Sequence, residues 1–325
     1  VQPVRTIDYH TAGEPFRIVL DGVPEIAGAT VLERRATAQA SPSIDAVRRL
    51  LVQEPRGHAD MYGCFLVPPD DDGAAFGVLF WHKDGYSTAC GHGTIALGAW
   101  AVASGRVPAG TTEVPIDVPS GRVVARVHPD GGVSFRNVAS YVLARDVEVR
   151  TTRGSVRVDV SYGGAIYASV PASSLGLAVT PEHHVDLIAI GREIKWALNE
   201  TEWAHQRGDS RLDGVYATIL YDDLGQVADG PHQRNVAVFA DGQLDRSPCG
   251  SGTSARMAVL AADGRLTEGQ VLVHDSIIGT RFTGRLVGSG PDGVLTEITG
   301  SAFATGESVF RLDPADPLGT GFTLR

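Results

Sequence analysis

The segment beginning at Cys90, CGHGTIALGAWAVASGR, recurs without a gap as CGSGTSARMAVLAADGR from Cys249. Gly91 aligns with Gly250, Gly93 with Gly252, Thr94 with Thr253, Ala96 with Ala255 and Ala99 with Ala258. Gly105-Arg106 then meets Gly264-Arg265, and Gly110 meets Gly269. A register held this long marks an internal duplication, so the fold must accommodate two similar halves with one cysteine each. At 325 residues the chain is long enough for two domains, each with its own core.

Within each half the pattern is similar. Val4 to Tyr9, Phe16 to Leu20 and Ala75 to Trp81 read as strands before the first cysteine loop. Ile44 to Val52 has helical spacing, with Ser43 as its expected N-cap. Ile95 to Ala103 is apolar on every side, the mark of a helix buried all round. Strands follow at Val114–Val118, Gly121–Val127 and Val133–Asn137, with a turn at Asp130-Gly131-Gly132. The second half has a strand at Val156–Val160, a helix at Pro181–Leu198 and a strand at Val236–Phe239. A small-residue helix at Ser254–Ala262 comes next, then strands at Val271–His274, Arg281–Val287 and Val294–Ile298. The expected class is α/β (α+β): two pseudo-symmetric domains, each a strand-rich shell around a central helix. A pseudo-twofold relation would set the two thiols facing each other in the cleft between domains.

Two thiols at helix starts suggest specific chemistry. A helix N-terminus favours the thiolate, which predicts lowered pKa values for both cysteines. It also presents backbone N–H groups, and Gly91-His92 with Gly250-Ser251 would offer four to a carboxylate. One thiolate could then remove an α-proton while the other thiol returns a proton to the opposite face, inverting the α-carbon. The N–H groups would stabilise the charge that builds on the carboxylate. Pyridoxal phosphate needs a lysine, and the only lysines are Lys83 and Lys195, with no phosphate loop near either. No cofactor is expected. No metal is expected either, because His10, His58 and His92 lie in no close ligand pair. A redox dithiol and a non-catalytic amino-acid binder are the competing classes. The first lacks a C-x-x-C, and the second has no use for facing thiols.

Composition narrows the partners. The net charge of -10 and the absence of a basic run argue against nucleic acid. No apolar run reaches the length of a membrane span, and VQPVRTIDYH lacks the plan of a signal peptide. Three cysteines, Cys64 among them as a small buried hydrophobe, fit a reducing cytoplasm better than a disulfide framework.

Six stretches resemble the proline racemase family: IDYHTAGEPFRIV, EPRGHADMYG, GYSTACGHGTIALG, VDVSYGGAIYA, DRSPCGSGTSAR and the closing GFTLR. The resemblance implies a diaminopimelate-epimerase-like fold and a cofactor-free two-base reaction on proline or a hydroxyproline, usually in a homodimer. It implies domains at 1–124 plus 297–325, carrying Cys90, and at 125–296, carrying Cys249. Cys90 and Cys249 become the acid/base pair, and Gly91, His92, Gly250 and Ser251 the carboxylate clamp. His92 and Asp245 would contact the ring nitrogen, with Tyr62 and Phe239 as walls beside the ring. The reaction within the family is less uniform. Typical trans-3-hydroxy-L-proline dehydratases carry Thr at the position of Cys249, so this thiol favours inversion. Tyr62, Ser87-Thr88 and Ala165 resemble the dehydratase branch, and Tyr62 and Ser87 are suited to a ring hydroxyl. The expectation is a 4-hydroxyproline 2-epimerase or proline racemase, with trans-3-hydroxy-L-proline dehydration, giving Δ1-pyrroline-2-carboxylate, as the alternative.

Overall fold

The computed structural model describes residues 2–324. Val1 and Arg325, which end the first expected domain and the GFTLR motif, lie outside the described residues. The chain divides into two compact units. The first holds the residues up to Thr88, Gly93–Val133 and those from Ser301 onward; the second holds Ala89–His92 and Ser134–Gly300.

In the first unit, β1 (Val4–Thr11) and β2 (Glu14–Asp21) form a hairpin. Its turn is made by Ala12 and Gly13, both at positive φ. The final strand, Ala302–Phe310, pairs antiparallel with the other edge of β1. Two helices follow β2: α1 (Val31–Ala40) and α2 (Pro42–Val52). The sequence reading missed α1, whose run VLERRATAQA has a weak apolar stripe. Its start is fixed locally: Thr30 Oγ1 accepts from Glu33 N at 3.2 Å, and Glu33 Oε2 accepts from Ala29 N at 2.7 Å. The N-cap of α2 is Ser41, not Ser43, because Pro42 fits the first helical position and Ser41 Oγ accepts from Ile44 N.

The chain then lays β3 (Tyr62–Val67) parallel to β2 and returns antiparallel as β4 (Phe76–His82). A two-residue β5 (Gly85–Tyr86) leads to the first cysteine loop and α3 (Gly91–Ala103). Beyond it, β6 (Glu113–Val118) runs parallel to β4 and pairs with β7 (Gly121–Val127). Close approach demands the small residues of α3. A Cβ on Gly98 would lie 2.7 Å from the Ala125 side chain. Trp81, Phe65, Leu79, Leu50 and Leu51 fill the core between α2 and the strands.

From Ser134 on, the second unit holds the rest of β8 (Val133–Arg136), then β9 (Tyr141–Thr151), β10 (Gly154–Tyr162) and β11 (Ile166–Pro171). After α4 (His184–Asn199), β12 (Val215–Val227) runs parallel to β11 and hairpins into β13 (Gly230–Phe239). A short β14 (Gln243–Leu244) precedes the second cysteine loop and α5 (Gly250–Ala262). The unit ends with β15 (Val271–Ser276), β16 (Arg281–Gly290) and β17 (Gly293–Gly300), antiparallel in sequence. Leu187, Ile190, Ile194 and Leu198 recur at helical spacing on α4 and bury one stripe in the core, against β12 and β13. Both small-residue helices start at the glycine after the cysteine, a turn earlier than the apolar pattern suggests. Helix α5 is buried along its first eleven residues. It carries Met257 against Gly284 and a buried Arg256, whose guanidinium sits 3.9 Å over the Tyr221 ring and donates to Gln233 Oε1.

Leu187 is fully buried under α4. Leu187→Ala is expected to lower the unfolding free energy by about 2–5 kcal/mol, with an unchanged denaturant slope, in urea melts.

Candidate functional site

Although Cys90 follows β5, the short segment Ala89–His92 belongs to the second unit. There the two cysteine loops touch. A Cβ on Gly91 would lie 2.5 Å from Gly250 Cα and 2.7 Å from Ser251 N. A Cβ on Gly250 would lie 2.7 Å from Gly91 Cα. Real Cβ atoms do not approach that closely, so each glycine is required by the other. Two helix starts therefore abut backbone to backbone. Helix geometry leaves their first-turn N–H groups without intrahelical acceptors. The Ser251 hydroxyl is buried at this junction without a hydrogen-bond partner.

Both thiols are buried, at 6% exposure for Cys90 and 8% for Cys249. Cys90 Sγ lies 3.4 Å from His92 Nδ1. Cys249 is the N-cap of α5 and has φ +61°, a region a side-chain-bearing residue rarely enters. Its neighbours hold it there. Cys249 N donates to Ser247 Oγ at 3.1 Å, and Cys249 O accepts from Thr253 N at 2.7 Å. The preceding carbonyl, Pro248 O, accepts from Asn235 Nδ2 at 2.9 Å and from Thr253 Oγ1 at 3.0 Å. Thr253 and Asn235 in turn contact His274, whose pKa burial depresses to about 3, so it stays neutral.

The expectation of a lowered thiol pKa is overturned at Cys249. Burial pushes this thiol well up, and the Asp245 charge raises it further. Hydrogen bonds from Gly252 N–H and the Tyr167 hydroxyl pull it down without winning. The helix-end effect is real, but desolvation of a buried sulfur exceeds it. Asp245 is raised as well, to about 6, chiefly by burial; hydrogen bonds from Ser247 and Cys249 oppose the rise. Ser247 N donates to Asp245 Oδ1 at 2.8 Å.

Tyr167, on β11, is the residue the sequence reading passed over. Inside a run of apolar strand residues it looks like core. Its ring lies under the helix start: a Cβ on Gly252 would meet Cys249 Sγ at 2.9 Å and Tyr167 Cε1 at 3.3 Å. An aromatic row continues from it through Tyr216 to Phe239, with ring centroids 6.0 and 5.8 Å apart. Cys90, Gly91, His92, Asp245, Cys249, Gly250, Ser251 and, through this row, Phe239 thus belong to one unit. Tyr62 and Ser87 belong to the first unit, where their hydroxyls hydrogen-bond to each other beside Phe16 and His82. Ala165 lies buried in the β10–β11 turn, where its carbonyl accepts from Gly163 N. Cys64 lies buried in β3, and none of the three cysteines is in a disulfide. No group of three acidic, histidine or cysteine residues among the described residues is arranged to hold a metal.

The family model described as proline racemase matches residues 6–323. A trans-3-hydroxy-L-proline dehydratase from Bacillus cereus is 42% identical, across 98% of this chain and 97% of its own length. A 3-hydroxyproline 2-epimerase from Burkholderia multivorans is 41% identical, across 98% of each chain. The crystal structure of a hydroxyproline epimerase from Agrobacterium vitis, with trans-4-hydroxy-L-proline bound, matches with a TM-score of 0.89 at 30% identity, covering 99% of this chain and 96% of that one.

Because the pKa of Asp245 is raised in the folded protein, the folded state holds this proton more tightly than the unfolded chain. The resulting stability is full below about pH 4 and is lost as pH rises through about 6. Asp245→Asn removes that loss. The variant is expected to gain about 1–3 kcal/mol relative to the wild type between pH 4 and pH 7, read as the difference between paired urea melts. A difference that stays flat across this window would count against the buried carboxyl.

Proposed function

Because the chain belongs to the proline racemase family, we propose that it inverts the α-carbon of a hydroxyproline by a two-thiol reaction without a cofactor. The Cys90 thiolate takes the α-proton from one face, and the Cys249 thiol gives a proton to the other. In the reverse direction the roles exchange. The substrate carboxylate is held by the N–H groups of Gly91, His92, Gly250 and Ser251 and by the Ser251 hydroxyl, and these donors stabilise the enediolate charge. Asp245 and His92 contact the ring nitrogen, and Phe239 walls the ring.

The observation that carries this reading is the environment of Cys249. Its raised pKa keeps the thiol protonated at neutral pH, ready to act as an acid, while Gly252 N–H and Tyr167 O–H stand ready for the thiolate it leaves. The buried Ser251 hydroxyl, which has no protein partner, supports a polar ligand at the junction. The sequence alone points to a 4-hydroxyl, but the relatives from Bacillus cereus and Burkholderia multivorans, 42% and 41% identical, are named for 3-hydroxyprolines, which supports a 3-hydroxyproline substrate.

A second reading is dehydration of trans-3-hydroxy-L-proline. The name of the Bacillus cereus relative favours it. Cys90 would remove the same α-proton, the 3-hydroxyl would leave as water, and the enamine would rearrange to the cyclic imine.

Proton NMR in D2O on trans-3-hydroxy-L-proline, trans-4-hydroxy-L-proline and L-proline separates the readings. Growth of a C2 epimer with loss of the α-proton signal supports inversion. Imine from the 3-hydroxy compound without an epimer supports dehydration. Cys90→Ala and Cys249→Ala should each lower inversion by at least about 10³-fold. A Cys249→Ala variant that inverts at the wild-type rate would sink the two-thiol mechanism.

Packing makes a separate prediction. Gly250→Ala places a methyl group against the backbone of Gly91, so the two helix starts must part. The variant should keep its circular dichroism spectrum yet lose at least about 10²-fold in kcat, since displacement of about 1 Å costs that much.

A further inference from the structure

Resting on the two-thiol reading, we propose that Tyr167 is a positioning residue of the reaction, acting through Cys249. Its phenolic O–H holds the sulfur in the thiolate state, and Asp245 holds the same sulfur in the thiol state.

The argument begins with the demands on Cys249. An acid/base sulfur must be stable with and without its proton at one fixed backbone position. As a thiol it needs an acceptor for S–H. As a thiolate it needs donors. The acceptor is the Asp245 carboxylate, and the donors are Gly252 N–H and the Tyr167 hydroxyl. When the S–H bond breaks and the proton moves to the α-carbon, the electron pair stays on sulfur. Those two donors then take up the charge. On return of a proton the thiol turns back to Asp245. No backbone movement is required.

Tyr167 is suited to this task by burial. It is 1% exposed, and desolvation together with the nearby Cys249 raises its pKa well above that of an ordinary tyrosine, so it remains a donor throughout the working range. Tyr216 and Cys90 raise it further. The ring is held by the edge-on contact to Tyr216 and by the absence of a side chain at Gly252. Cys90 has a different neighbour, His92. His92 and Ser251 occupy matching positions in the two copies, and Tyr167 has its hydroxyl on Cys249.

The test reads each sulfur separately. Wild type and Tyr167→Phe are alkylated with iodoacetamide across pH 6 to about 11, and modified peptides carrying Cys90 and Cys249 are quantified from the same digest. The groups facing Cys249 are Asp245 and Tyr167, and those facing Tyr167 are Cys249, Tyr216 and Cys90. In Tyr167→Phe the Cys249 midpoint should rise by about one unit, making alkylation about tenfold slower below it, while Cys90 moves far less. Inversion should fall in kcat by about 10–100-fold with little change in KM. Asp245→Asn should move the Cys249 midpoint the opposite way. Should Tyr167→Phe fail to fold, 3-fluorotyrosine placed at 167 provides a stronger donor of nearly the same size, and should lower the Cys249 midpoint. A Cys249 midpoint unmoved in the folded variant, even with activity lost, overturns the proposal and leaves Tyr167 a packing residue. Alkylation requires no substrate. A shifted midpoint in a protein that inverts none of the three prolines would overturn the proposed reaction and leave the Tyr167–Cys249 coupling standing.

Discussion

The second unit depends on a contact with no side chains in it. Gly91 and Gly250 meet backbone to backbone, closer than any Cβ would allow. Each opens a helix, so two partially positive helix ends are brought together in a buried place. Like partial charges repel, and the N–H groups there lie away from bulk water. Such a junction is at its best with an anion on it. The protein therefore keeps a pocket of unspent electrostatic potential, and the proposed carboxylate clamp is its natural use. Everything around the junction serves to hold it. Gly163 lets the β10–β11 turn approach Ser251 O, and Asn137 Nδ2 donates to Gly163 O at 2.8 Å to fix that turn.

Much of this was legible in the sequence because it was written twice. The duplicated Cys-Gly-x-Gly-Thr run located both helix starts and offered their N–H groups to a carboxylate. Local details were harder to read. Ser41 rather than Ser43 caps α2 because Pro42 sets the register, a two-residue difference that periodicity does not resolve. Helix α1 escaped because its buried face is a thin line of Val31, Arg34 and Ala38, and an arginine does not look like core. Its Arg34 Nη1 donates to Pro68 O, a partner no local pattern could reveal.

Chemistry proved harder to read than geometry. A cysteine before a helix suggests a lowered pKa, yet Cys249 is pushed the other way. The sequence shows the dipole but not the depth of burial or the carboxyl four residues upstream in contact with the sulfur. Tyr167 was hidden for a related reason. On β11 it sits among five consecutive buried residues and reads as core, and only the tertiary fold sets its ring against the start of α5. The hydroxyl, not the ring, is what sets it apart from a buried phenylalanine.

The left-handed backbone at Cys249 has an evolutionary consequence. At φ +61° an unbranched side chain is already strained, and a β-branched one is worse. Replacing this thiol by a threonine hydroxyl is thus no single-atom edit. It asks the N-cap to leave the conformation that Ser247, Thr253 and Asn235 jointly impose. A lineage exchanging cysteine and threonine at this position must absorb that strain at the entrance to a helix. Serine at this position would offer the shorter path.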